Sequence, residues 1–136
     1  MKALLVVALL FAQAPSGAAL AAGAIAIGSS GNVANDGVAT GGAIDQPTPE
    51  QAVNKALETC RSFKGAPKVS GLCRVVETFA RQCAAIAFNP AKGKPGLGWA
   101  LAFDKSAAEQ RALAACRDTG GGLGCRIDQS YCDTHD

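Results

Sequence analysis

Apolar residues occur along the chain in two kinds of pattern, short strand-like runs and longer runs with helical spacing. The short runs are rich in aliphatic or β-branched residues and are bounded by Gly, Pro, Asn or Ser, as strands commonly are. Glycines at positions 41 and 42 weaken one of them. The pattern predicts about six strands, at residues 23–27, 38–44, 72–79, 83–88, 99–103 and 125–131.

Two longer segments carry apolar residues at a spacing of three and four, which is typical of helices that bury one face. The first follows Thr48, which forms a capping box with Gln51, and is predicted to span residues 49–62. The second is predicted to be capped by Asp104 or Ser106. The second helix is rich in alanine, so it can lie close to a sheet.

The two halves of the chain follow the same order of elements. Each half contains two strands, a helix that ends in cysteine, and a strand that begins Cys-Arg-aliphatic, at 73–75 and at 125–127. A repeat of this kind predicts two units that share one core. Residues 22–136 are therefore expected to form a single disulfide-rich domain with repeats at about 23–82 and 83–132. We predict an α+β fold: a duplicated β-β-α-β unit of about six mostly antiparallel strands, with two helices packed on one sheet face.

The N-terminal segment has the parts of a secretory signal peptide. Lys2 provides a positive charge, an apolar run of about a dozen residues follows, and Ala-Leu-Ala at 19–21 is a small-x-small cleavage site. The alternative is a transmembrane anchor, but a membrane span needs about 20 apolar residues. We predict a signal peptide over residues 1–21, cleavage after Ala21 or Ala22, no membrane span after cleavage, and a secreted or periplasmic protein.

The 6 cysteines all follow the predicted signal peptide. An even number of cysteines in a small exported domain is typical of disulfides. Zinc binding is the alternative, but it needs closely spaced thiolate or imidazole pairs. The chain has no CxxC pair, and its single histidine is His135. We therefore predict three disulfides, no metal and no cofactor.

The repeat restricts the disulfide pairing, because equivalent halves should pair equivalently, although several pairings meet this condition. We favour two bridges that each join the end of a helix to the next strand. A third bridge would then join the two halves. The resulting hypothesis is Cys60–Cys73, Cys116–Cys125 and Cys83–Cys132.

Charge gives little information about partners. The formal net charge is +2, and basic residues are scattered along the chain. The pairs Lys64/Lys68 and Lys92/Lys94 lie among Gly and Pro, as solvated loop charges do. A nucleic-acid binder would instead have a concentrated basic face with aromatic residues for stacking. No nucleic-acid partner is predicted.

Five segments of the chain together form a recognisable pattern: GAIAI at 23–27, CAAIAF at 83–88, GWALA at 98–102, AAEQRALAAC at 107–116 and Cys-Arg-Ile at 125–127. In these segments the chain resembles a family of small secreted bacterial proteins that contain domain of unknown function 4189. The resemblance spans about 23–132, and its first half departs from the pattern. There, no aromatic residue occupies the place of Trp99, and Ala43 is the nearest equivalent. The resemblance implies a fold and export but no activity.

Five residues are candidates for a functional site. Glu77 and Asp128 lie in equivalent strands and could act as the paired carboxylates of a glycoside hydrolase, although exposed strand charges explain them more simply. Arg74 and Arg126 lie on the same strands and could bind an anion or form surface ion pairs. Trp99 could anchor a partner, since tryptophan is enriched at binding hot spots, or could be a core residue between sheet and helix.

The composition favours binding over catalysis. A nucleophile-histidine triad is not available in the sequence, since His135 lies in the last two residues. We predict an exported, disulfide-stabilised interaction module with the character of inhibitor or immunity proteins. Its partner would be another protein or a cell-envelope component. The alternative is a cell-envelope hydrolase that uses the strand carboxylates.

Overall fold

The computed structural model describes residues 21–133. The predicted signal peptide up to residue 20, and His135, lie outside the described residues. Both halves contain two strands, a long helix and a third strand, and the first half also has a one-turn helix, α1. The elements are β1 (Ala22–Gly28), α1 (Val33–Asp36), β2 (Ala39–Gln46), α2 (Pro49–Arg61), β3 (Arg74–Phe79), β4 (Gln82–Phe88), β5 (Leu97–Ala102), α3 (Lys105–Cys116) and β6 (Arg126–Asp133).

Each of the two long helices begins directly after a residue whose side chain caps it. The Thr48 hydroxyl accepts a hydrogen bond from the Gln51 amide at 3.2 Å, and Pro49 occupies the first turn of α2. Of the two possible caps of α3, Asp104 is the one used, because its carboxylate accepts from the Ala107 amide at 2.8 Å. Each cap satisfies an amide that the helix itself cannot pair.

The six strands form two antiparallel sheets of three, in the orders β2-β1-β3 and β5-β4-β6. The first strand of each half is the central strand and pairs with both of its sheet neighbours. The α+β class, the β-β-α-β order in each half, the six antiparallel strands and the two helices are confirmed. The structure differs in the number of sheets, since the prediction treated the strands as one sheet.

The two sheets stack face to face because each central strand is apolar on both faces. In β1, Ala24 and Ala26 pack under α2, whereas Ile25 and Ile27 point into a cluster shared with Ile86 of β4. The layers are therefore α2, first sheet, second sheet and α3, and each helix covers the outer face of its own sheet. Small residues face the helices and large residues fill the space between the sheets.

Two glycines allow the helices to lie close to the sheets. A Cβ at Gly41 would overlap the backbone of α2 at Cys60, and a Cβ at Gly98 would overlap the backbone of α3 at Cys116. These glycines therefore occupy matching places in the two halves. The glycines that weaken the strand prediction at 38–44 are required by packing in the folded protein.

The strand register identifies the residue that matches Trp99 in the first half. Ile86 of β4 pairs with Trp99, and Ile25 of β1, in the equivalent place, pairs with Gly42. The assignment of Ala43 as the nearest equivalent of Trp99 was therefore wrong by one residue. The ring of Tyr131 occupies the space that a side chain at Gly42 would need.

The structure contains the disulfides Cys60–Cys73, Cys116–Cys125 and Cys83–Cys132. The first two each join the end of a helix to the residue before the next strand. The third joins β4 to its sheet neighbour β6, where Cys83 and Cys132 are direct register partners. It therefore lies within the second half, and the expectation that it joins the two halves was wrong.

Candidate functional site at the long-loop end

All long connections of the fold lie at one end, because β1, β4 and both long helices run towards it. Four connections of eight or more residues meet there, whereas the opposite end has short turns at 47–48, 80–81 and 103–104. We call these the long-loop end and the turn end. The long-loop end consists of residues 29–38, 62–73, 89–96 and 117–125.

Hydrogen bonds hold loop 89–96 against the glycine-rich segment that follows α3. The buried Asn89 amide donates to the Gly121 carbonyl at 2.9 Å, and its side-chain oxygen accepts from the Ala91 amide at 2.9 Å. Gly124 lacks the Cβ that would overlap the Asn89 side chain. Thr119 exchanges hydrogen bonds with the backbone of Leu97 at 2.8 and 2.9 Å. The loop is therefore fixed to the segment after α3 by its own Asn89 side chain, and the start of β5 is fixed to the same segment by Thr119.

A cleft of about 310 Å³ opens between loop 89–96, the loop around α1 and the segment after α2. Its volume is at the lower limit of small-molecule pockets. Phe63 and Phe88 provide aromatic surface, and Asp36, Lys92 and Lys94 provide charge. The cleft thus combines apolar walls with a mainly basic lining.

The carboxylate of Asp36 is held by neighbours on the same rim. It accepts a hydrogen bond from the Ser30 hydroxyl at 2.7 Å and lies 3.5 Å from the ammonium of Lys68. The hydrogen bond from Ser30, followed by the charge of Lys68, lowers the pKa of Asp36, while partial burial opposes this shift. Asp36 is therefore ionised and its charge is largely offset by Lys68.

Two smaller clefts border the first one. A cleft of about 260 Å³ shares Val33 with it and is also lined by Pro95 and Trp99. A cleft of about 170 Å³ shares Phe88 and Pro90 with it and reaches β6. The three clefts thus lie side by side around loop 89–96.

Trp99 combines both of the predicted roles. Its side chain is half-buried and packs against the cluster between the two sheets, so it lies between sheets and not between a sheet and a helix. Its remaining surface lines the second cleft together with Ser29 and Gly31. Trp99 is therefore a core residue with one edge open at the long-loop end.

Arg126 and Asp128 both line the third cleft, whereas Arg74 and Glu77 line none of the clefts described here. The exposed Arg126 guanidinium donates to the carbonyls of Leu123 at 3.1 Å and Cys125 at 3.0 Å. Within the described part of the chain, the side chains of Arg74 and Glu77 make no hydrogen bond or ion pair. The predicted ion pairs between these arginines and carboxylates are not formed among the described residues.

Glu77 and Asp128 do not occupy equivalent positions and are not brought together. Val76 is the match of Asp128, because each lies three residues beyond the cysteine that precedes its strand and each falls at a β-bulge; Glu77 is the match of Gln129. Asp128 on β6 faces β2, whereas Glu77 lies on β3 at the opposite edge of the first sheet. The paired-carboxylate arrangement of a glycoside hydrolase is therefore not present at these residues.

The structure reveals a polar contact between the sheets that the sequence pattern did not indicate. The buried Thr40 hydroxyl donates to the Asp128 carboxylate at 2.7 Å. Burial, and then the negative charge of Asp128, raise the pKa of Tyr131. Only the bulge that turns Asp128 towards β2 creates this cluster, and a bulge leaves no clear mark in the sequence.

Among residues 21–133, no group of three or more His, Cys, Asp or Glu side chains could hold a metal ion. In the same part of the chain, no helix is both long enough and apolar enough to span a membrane. The chemistry available at the long-loop end is that of lysine, arginine, aromatic and amide side chains around shallow clefts, which suits binding.

Comparisons with known proteins place the chain as follows. A family model described as "Domain of unknown function (DUF4189)" matches residues 22–132. No curated protein matches the chain. The chain is similar to the NMR structure of Rv1813c from Mycobacterium tuberculosis, with 24% sequence identity and a TM-score of 0.47, over 98% of this chain and 90% of that chain.

Proposed function

The chain belongs to the DUF4189 family, and we propose that it acts as an exported binding module whose partner is another protein or a component of the cell envelope. Export is supported by the three disulfides, which are characteristic of oxidising compartments. The signal-peptide pattern of residues 1–21 points the same way.

The observation that carries the proposal is the position of the three clefts. They lie next to one another at the long-loop end, on connections that are anchored to a rigid sandwich of sheets. Binding residues are commonly presented on loops that a stable scaffold holds in place. The disulfides Cys60–Cys73 and Cys116–Cys125 fix the segments on either side of this end.

A pull-down tests the proposal and its location together. The bait is the oxidised protein, residues 22–136, exposed to envelope and secreted extracts of its source, with a reduced and alkylated sample beside it. Asn35 is exposed and lines the cleft of about 310 Å³, so Asn35→Trp should block it. Asn54 is exposed on α2 near the turn end, and Asn54→Trp is the matched control.

We expect one component to be captured by the wild type and by N54W, but not by N35W or by the reduced protein. If the captured component is an enzyme, its activity in the presence of the wild type distinguishes an inhibitor from another kind of binder. Equal capture by N35W would contradict the location of the site. The absence of any capture by the oxidised protein would contradict the binding function.

A further inference from the structure

The small net charge of the chain conceals a strong separation of charge in the folded protein. Eight of the 13 Lys and Arg residues lie in the four long connections or within three residues of them, against three of the 11 Asp and Glu residues. The acidic residues are Asp36, Asp118 and Asp128. The basic residues are Arg61, Lys64, Lys68, Arg74, Lys92, Lys94, Arg117 and Arg126.

The basic residues surround the long-loop end and are not gathered at one point. All connections except the one around α1 contribute some of them, and Lys68 from the second connection reaches across to α1. An excess of basic over acidic residues at one end of a protein attracts extended anionic surfaces.

The same end carries two protruding leucines, one in each half. Leu72 is 51% exposed and Leu123 is 90% exposed. Each lies in a short 3₁₀ turn, Ser70–Leu72 or Gly122–Gly124, just before the disulfide cysteine and the arginine that begin the next strand. The fold thus exposes an aliphatic side chain beside an arginine twice at the same end.

We propose that the long-loop end docks on the surface of an anionic phospholipid bilayer, with Leu72 and Leu123 entering the headgroup region. This inference rests on the proposed binding function and specifies its partner. Peripheral proteins bind such surfaces through basic residues near anionic headgroups and apolar side chains that enter the interface. The protein lies on the membrane and does not span it.

A lipid surface fits this arrangement better than an acidic protein. A specific protein interface has a contiguous apolar centre surrounded by a polar rim. Here the exposed leucines belong to different halves, and basic residues from several connections surround them. A bilayer needs no such centre, because its headgroups can meet separate basic residues and separate apolar tips.

Vesicle co-sedimentation tests the electrostatic part of the proposal. The vesicles are phosphatidylcholine with phosphatidylglycerol, compared with phosphatidylcholine alone, at low and at physiological salt. We expect binding to the anionic vesicles only, weakened by salt because exposed charges are screened. The double variant Lys92→Gln/Lys94→Gln should bind about tenfold or more weakly, since each basic residue near an anionic surface strengthens binding.

The matched control is Lys55→Gln/Lys105→Gln, which removes the same charge from α2 and α3. Both lysines are exposed, with side-chain accessibilities of 53% and 65%, and both lie outside the long-loop end. Binding by this variant should stay within about twofold of wild type, because its charges lie away from the membrane. An equal loss in both double variants would overturn the proposed orientation.

Tryptophan fluorescence tests the insertion of the leucines. Leu123 and Phe103 are exposed apolar residues at opposite ends, with Phe103 85% exposed. Adding anionic vesicles should shift the emission of Leu123→Trp to shorter wavelength, relative to wild type, and should leave Phe103→Trp unchanged. The chain contains 1 tryptophan, so the background signal is that of Trp99 alone. A shift in F103W without one in L123W would overturn the proposal.

The outcomes also separate this inference from the proposed function. Failure to bind anionic vesicles, with N35W-sensitive capture of an acidic protein, would overturn the membrane partner and leave the binding function intact. Failure of both the vesicle experiment and the pull-down would overturn both.

Discussion

At the scale of single residues, the absence of a side chain at certain glycines matters as much for packing as the contacts that other side chains make. Gly41 and Gly98 let the helices approach their sheets, and Gly42 leaves room for the ring of Tyr131. Neither requirement depends on left-handed backbone at these positions, since none of the three has a positive φ. They are steric consequences of the layered packing.

Replacing Gly98 with alanine should destabilise the protein by about 1–3 kcal/mol, because the added Cβ would overlap the backbone of α3 at Ala112 and Cys116. Urea unfolding followed by circular dichroism measures the change. Gly71→Ala is the control, because no atom lies within 4 Å of a Cβ built there. G71A should be neutral or stabilising by up to about 1 kcal/mol. Equal stability of G98A and wild type would contradict the close packing.

The single tyrosine, Tyr131, should titrate above its ordinary pKa of 10.0, because it is partly buried and lies near the charge of Asp128. Absorbance of the phenolate gives this pKa directly, since the chain has 1 tyrosine. Asp128→Asn should move the pKa of Tyr131 part of the way down, because burial is the larger cause. An unshifted pKa in the native protein would contradict the described environment.

The same shift predicts a pH dependence of stability. Since the folded pKa of Tyr131 is raised, its contribution to stability is complete below pH 10 and is lost as the pH rises through the folded value. Other groups also titrate in this range, so the measurement compares wild type with Tyr131→Phe. Phenylalanine already occupies the matching place in β3, at Phe79. The stability difference between the two proteins should change only above about pH 9.

At the scale of elements, the two halves differ in one covalent link. Cys83 and Cys132 join β4 to β6, whereas the matching positions in the first half are Ala22 and Ala80. Without a bridge, the first sheet pairs in the same register as far as Gly23 and Phe79, whereas the pairing of the second sheet continues through Cys83 and Cys132. The Cys83–Cys132 disulfide is therefore not needed to define the pairing of these strands, although it constrains the unfolded chain.

Cys83→Ala/Cys132→Ala should fold with an unchanged far-ultraviolet spectrum but lose about 4 kcal/mol of stability, since its bridge closes a separation of 49 residues. The comparison is Cys60→Ala/Cys73→Ala. The bridge it removes closes a separation of 13 residues, which corresponds to a loss of about 3 kcal/mol of stability from the unfolded chain's greater freedom alone. Any loss of core packing would add to this value. Urea unfolding measures both. Non-cooperative unfolding of the first variant would contradict the argument from Ala22 and Ala80.

At the scale of the whole molecule, the topology brings together residues that are far apart in the sequence. Pairs of lysines separated along the chain surround one end, and the long connections that carry them border three adjoining clefts. The turn end is built from connections of two residues, at 47–48, 80–81 and 103–104. Under the proposed function, the long-loop end binds the partner and the turn end faces away from it.

The structure favours one of the two predicted cleavage positions. Ala22 is buried in β1 and pairs with Gln46, so cleavage after Ala21 preserves the strand whereas cleavage after Ala22 removes its first residue. Mass spectrometry of the exported protein should find Ala22 at the N-terminus and no free thiol. A protein that keeps residues 1–21 after export, or that reacts with a thiol reagent without reduction, would contradict this prediction.

The sequence by itself determined the elements and their order, because these depend on local features. Capping residues such as Thr48, helical spacing, and cysteines at matching places in both halves are all visible along the chain. The same symmetry restricted the cysteine pairing, and the preference for joining each helix end to the next strand selected the three pairs that the structure contains. The candidate site was harder to predict from the sequence. Of its five predicted residues, Trp99, Arg126 and Asp128 line one of the three clefts described at the long-loop end, and the other two do not.

Only the tertiary structure decided how the elements are arranged. The structure has two sheets where one was predicted, because Ile25 and Ile86 need a second apolar layer, which each sheet provides for the other. The bulge that places Asp128 between the sheets, and the strand order that leaves Glu77 at another edge, follow from strand pairing and not from residue type. The basic end arises because strand direction brings distant loops together. Strand pairing, sheet stacking and strand direction are long-range properties, so they could not be predicted from the local sequence pattern.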